Sequence, residues 1–127
     1  MLTLCAFLLL SCLFLAFPLS AQEMRTQGLG NSLTLISGSG TNILVKQASD
    51  DQVLIIDGGF EQYSQQTLET IAEVTDGGEI SLLINSHWHP EQTGLNRILG
   101  SQGVSIFAHE NTRQWLATSI TLSLIHI

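Results

Sequence analysis

Two histidines one residue apart stand in the stretch Ser86-His87-Trp88-His89-Pro90-Glu91-Gln92-Thr93-Gly94. Imidazole nitrogen is a favoured ligand of zinc and of other borderline-soft metals. The stretch follows Ile80-Ser81-Leu82-Leu83-Ile84-Asn85, an apolar run of strand length. Strand side chains alternate between faces, so His87 and His89 are expected on one side of the strand end, with Trp88 packed on the other. Glu91 can bring a carboxylate to the same mouth. Thr93-Gly94 is expected to open a helix whose free N–H groups face it. Taken alone, the histidine pair has two readings: metal ligands, or two rings hydrogen-bonded in a strand-end loop. Glu91 is likewise either a ligand or an acid placed where negative charge suits a helix dipole.

The elements that must position these residues are legible on either side. Leu33 to Ile36, Asn42 to Gln47 and Gln52 to Ile56 read as strands, separated by Ser37-Gly38-Ser39-Gly40 and Ser49-Asp50-Asp51 turns. The near-continuous apolar run in the third is the pattern of a strand buried on both faces. Asp57-Gly58-Gly59 breaks it. Glu61 to Thr75 then places Tyr63, Leu68, Ile71, Ala72 and Thr75 near one helical face, ended by Asp76-Gly77-Gly78. After the histidine loop come a short helix from Thr93 to Leu99, a strand from Val104 to Ala108, and a helix capped by Asn111. Gln22 to Gly30 is polar and reads as a mobile lead-in. Strands leading into strand–helix–strand units predict an α/β or α+β layer protein.

Composition limits the function classes. The 127 residues suffice for one small domain. Met1 to Phe17 is almost wholly apolar and no charge precedes Glu23. This reads as an export signal over residues 1–21, cleaved near Ala21, which places the protein in the periplasm or outside the cell. An uncleaved membrane anchor and lipid attachment at Cys12 are the alternatives. Cys5 and Cys12 both lie in this segment, so the mature part has no disulfide and no thiolate ligand. Any metal there must be held by imidazole, carboxylate and water. The net charge is −7, and Arg25, Lys46, Arg97 and Arg113 are too scattered to form a patch. Nucleic acid is excluded as a partner on that ground. A small-molecule substrate is expected, with membrane contact only through the N-terminus, and nothing here sets an oligomeric state.

The histidine loop resembles the metal-binding loop of the metallo-beta-lactamase-fold hydrolase superfamily, whose pattern is His-x-His-x-Asp-His. Val53-Leu54-Ile55-Ile56-Asp57-Gly58-Gly59 upstream and Val104-Ser105-Ile106-Phe107-Ala108-His109-Glu110-Asn111-Thr112-Arg113 downstream extend the resemblance over about Ser32 to Leu116. It implies a four-layer αββα sandwich of which residues 22–127 supply the first half, truncated before a third histidine ligand. It implies zinc held by His87 and His89, with Glu91 where Asp is usual and Gln92 where His is usual. One zinc is then expected, with a second site weakened or absent. Glu91 would ligate or orient the attacking water, Gln92 would hydrogen-bond that water or a substrate carbonyl, and Asp57 would brace the loop. The implied chemistry is hydrolysis by a water whose pKa the metal lowers toward neutrality. The superfamily's range of substrates leaves the substrate open, and the fragment by itself is expected to be inactive. A non-catalytic binding protein with an eroded metal site is the other reading. His109 reads as a packing or capping residue, and Trp88 and Trp115 as core. The closing residues 121–127 continue no helical face and resemble translated sequencing-adapter sequence. They are set aside as non-native, His126 with them.

Overall fold

The computed structural model describes residues 23–49 and 51–125, with side chains described as far as Thr118. The proposed export segment, Cys5, Cys12 and His126 lie outside the described residues. Six strands form one mixed sheet in chain order: β1 (Arg25–Gly30), β2 (Leu33–Ser37), β3 (Asn42–Gln47), β4 (Gln52–Ile56), β5 (Glu79–Asn85) and β6 (Ser105–Ala108). The first four pair antiparallel as a meander, and β4, β5 and β6 run parallel. Parallel neighbours need crossover connections. The first holds a 3-10 turn (Glu61–Tyr63) and helix α1 (Ser64–Val74), and the second α2 (Pro90–Thr93) and α3 (Asn96–Ser101). A last helix, α4 (Glu110–Ile125), follows β6 and runs on into the stretch 121–127.

Several expectations are corrected. The lead-in is not loose: Arg25–Gly30 is a strand, paired with β2 and exposed at every residue. Its polar sequence carries no apolar alternation, because an edge strand with both faces in water needs none. The single expected helix from Thr93 to Leu99 is two short ones, parted at Gly94-Leu95. Helix α4 begins at Glu110 rather than after Asn111. On α1, Ala72 is exposed, and the inward face is largely hydroxylic, with Ser64, Thr67 and Thr70 buried beside Ile71.

The core lies on one side of the sheet. Ile36, Ile43, Val45, Val53, Ile55 and Leu83 are buried there against Ile71 of α1 and Leu95 and Leu99 of the α3 region. Each such side chain contributes about 1.5–3 kcal/mol by leaving water. The other side is different. Leu35, Leu44, Leu54, Ile56, Leu82 and Ile84 share it by register and are only half-buried. Phe107, paired with Ile84, is 63% exposed. Strand β4 is thus buried on one face and open on the other.

Candidate metal centre

The three parallel strands end at one edge of the sheet. Asp57 follows β4, the Ser86–Glu91 stretch follows β5, and His109 follows β6. Ligand sites of open parallel sheets lie beyond such carboxyl ends.

Backbone bonds fasten the histidine loop to the turn after β4. Gly58 N–H donates to Gln92 O at 2.7 Å, and Gly94 N–H donates to Gly59 O at 2.8 Å. The approach requires glycine at 94, where a Cβ would stand inside contact distance of backbone atoms of Gly59, Phe60 and Glu61. Gly59 has φ +70, and a side chain there would also strike Ser39. The hairpin turn joins the assembly through Phe60 N–H donating to Ser39 O at 2.9 Å.

Asp57 holds the loop through its side chain. It is buried and has φ +67, in the left-handed region that Asp tolerates better than most residues. Its Oδ1 accepts from Ser86 N–H at 2.8 Å, and its Oδ2 accepts from Ser86 Oγ–H at 2.8 Å. Ser86 has spent its one proton, so its Oγ accepts from His87 Nδ1–H at 2.9 Å. This places the imidazole proton on Nδ1 and leaves Nε2 unprotonated, facing His89 Nδ1. Ser86 was not singled out from sequence; the available signal was a hydroxyl directly before the first histidine.

His87 Nε2 lies 3.1 Å from His89 Nδ1, and His89 Nδ1 lies 3.7 Å from Glu91 Oε1. One ligand atom from each of His87, His89 and Glu91 falls within 4.8 Å of the others. Two nitrogens on one tetrahedral zinc, each about 2.05 Å from it, stand about 3.3 Å apart. The two imidazole nitrogens and their spacing therefore fit zinc, with the Glu91 carboxylate close beside them. The convergence does not come from strand alternation. β5 ends at Asn85, and His87 and His89 stand in the irregular loop before α2, with Pro90 as its first residue. Helix α2 ends at Thr93 instead of starting there, so no helix opens at that point toward the site.

Gln92 is buried. Its Nε2 donates to Thr41 Oγ1 at 3.0 Å, and its Oε1 has no partner among the described residues. His109 caps α4: its Nδ1 accepts from Asn111 N–H at 3.2 Å. Trp88 and Trp115 are not core. They stack on each other with ring centroids 5.4 Å apart, 37% and 54% exposed. Trp88 also meets the His89 ring edge-on at 4.5 Å.

No protein-family model matches the chain, and no curated protein matches it. Solved structures do. The chain is similar to the DIM-1 metallo-beta-lactamase with a TM-score of 0.64 and 20% identity over 76% of this chain and 47% of that one. Likeness to VMB-1 has a TM-score of 0.66 at 19% identity, covering 78% and 48%. The metallo-beta-lactamase FIM-1 from Pseudomonas aeruginosa in its mono-zinc form gives 0.64 at 14% identity, covering 77% and 49%. The fold is therefore the first half of a metallo-beta-lactamase fold, and the chain spans about half the length of these structures.

Proposed function

We propose that this chain carries the metal loop of an exported zinc-dependent hydrolase. The observation behind the reading is the convergence of His87 Nε2, His89 Nδ1 and a Glu91 carboxylate oxygen, with His87 set in the ligating tautomer by Ser86 and Asp57. A zinc ion bound there would supply a Lewis acid and a water acidified toward neutral pH. The protein's part is positional. Asp57 and Ser86 hold His87 in register, and Glu91 keeps a negative charge beside His89, suited to ligate or to take a proton from the attacking water. Gln92 has an amide committed to Thr41, so we assign it the joint between hairpin and loop, its Oε1 serving as acceptor for a water. With no imidazole at that position, one zinc is expected to be held tightly and a second weakly or not at all. Hydrolysis is assigned to the complete protein, a small molecule is its substrate, and the apolar start from Met1 to Ala21 is the basis for export. The commitment of Gln92 to Thr41 also favours a second reading, a binding protein on the same fold that keeps its metal loop without turnover.

Elemental analysis after dialysis against a mild chelator tests the proposal. One zinc per complete protein is expected, and none in His87→Ala or His89→Ala. A complete protein that retains no zinc would sink the metal reading, and two tightly held ions would sink the single-zinc assignment. Zinc retained by a complete protein that hydrolyses nothing would favour the binding protein.

A further inference from the structure

The two histidines of the metal loop are held in different ways. His87 is tied through its Nδ1 to Ser86, and Ser86 to Asp57. His89 has no such tie. Among the described residues its ring nitrogens meet only the other ligand candidates, His87 Nε2 at 3.1 Å and Glu91 Oε1 at 3.7 Å, both at Nδ1. Its ring is set instead between two others. The His87 ring stands across it at 4.7 Å and 78°, and the Trp88 indole at 4.5 Å and 70°. Trp88 is in turn stacked on Trp115 of α4, with ring centroids 5.4 Å apart and an interplanar angle of 21°. The lone pair of an imidazole nitrogen lies in the plane of its ring, so whatever fixes the plane of His89 fixes the direction in which Nδ1 can bind. His89 stands in an irregular loop past the end of β5, where no strand neighbour restricts its rotamer.

We propose that Trp88 is a positioning residue for metal binding: it holds the His89 ring at the angle that aims Nδ1 at the ion, and Trp115 holds Trp88. This rests on the metal reading above. The residue between the two histidines has no metal-ligating atom of its own. It does for His89 by ring packing what Ser86 and Asp57 do for His87 by hydrogen bonding, and through Trp115 it gives α4 a hold on the metal loop.

Competition for zinc between a chelator and the complete protein tests this. Trp88→Ala is expected to lower zinc affinity by about tenfold, as loss of an orienting partner does. Trp88→Phe keeps a ring against His89 and is expected to restore the affinity to within about threefold of the unaltered protein. Trp115→Ala leaves Trp88 in place but unstacked, and should lower the affinity by about three- to fivefold, within the range for one aromatic pair. Cobalt in place of zinc supplies a readout that a loss of fold stability does not move, because its visible absorption reports the geometry of its ligands. That spectrum should change in Trp88→Ala and return in Trp88→Phe. An unchanged zinc affinity and cobalt spectrum in Trp88→Ala would overturn the proposal, whatever happens to the melting temperature, and so would an affinity that Trp88→Phe fails to restore. If Trp88→Ala does not fold, Trp115→Ala decides on the same two readouts. An unaltered complete protein that binds neither metal would sink the metal reading and the positioning with it, whereas tight binding that ignores both tryptophans would sink the positioning alone.

Discussion

At the scale of single residues, the site depends on where one proton sits. Asp57 takes both donors of Ser86, Ser86 therefore accepts from His87, and His87 is left with an unprotonated Nε2 facing His89. Partners of this kind fix ring orientation, and their loss typically weakens metal binding about 10- to 100-fold. Ser86→Ala should lower zinc affinity by about tenfold, near the bottom of that range, since the rings stay close through the loop. Asp57→Asn is the sharper test. Asn also tolerates the left-handed backbone at 57, so the turn survives, but an amide NH2 then faces one of the two Ser86 donors. We expect an unchanged circular dichroism spectrum with a zinc affinity lowered by at least about tenfold. Unaltered affinity in both variants would show that the backbone alone orients His87.

At the scale of elements, the site is a joint between two crossover connections, and its tightest point is Gly94. Adding a methyl there drives α2 off the Gly59–Glu61 backbone and breaks the 2.8 Å bond from Gly94 N–H to Gly59 O. Gly94→Ala should therefore cost about 3 kcal/mol, the upper range for overpacking, and weaken zinc binding at the same time. A lowered melting temperature with unchanged zinc affinity would show that the joint supports the fold without aligning the ligands. The elements also mark how far sequence alone reaches. β3 runs over the residues that its apolar pattern predicts, and β2, β4 and β5 do so to within a residue at either end, because burial on the α1 side imposes that pattern. β1 escapes because all six of its residues face solvent. The histidine pair is legible as a spacing, but its convergence is a property of the loop after Asn85 and not of strand alternation. Trp88 and Trp115 mislead for a related reason: tryptophan is usually buried, and neither its type nor its spacing tells that these two stack on each other at the surface.

At the scale of the whole molecule, the sheet is finished on one side and open on the other. The helix-covered face buries nine apolar side chains, whereas Leu35, Leu44, Leu54, Ile56, Leu82 and Ile84 stay half-buried on the opposite face, with Phe107 largely in water. Contiguous apolar surface of that extent is uncommon on a soluble monomer. The chain covers only about half the length of the solved structures that share this fold. Residues 22–127 prepared alone should therefore self-associate, and should bind a hydrophobic dye more strongly than a closed domain of similar size. Replacing Leu44 and Ile84 by lysine puts two charges on the open face without touching Ile43, Val45 or Leu83 behind it. That double variant should move the chain toward monomer in analytical ultracentrifugation at equal concentration, with zinc affinity retained, because His87, His89 and Glu91 lie beyond the strand ends and not on that face. A soluble monomer of the unaltered chain with a sharp, reversible two-state melt would refute the argument, since it would mean that half of this sandwich is a complete folding unit.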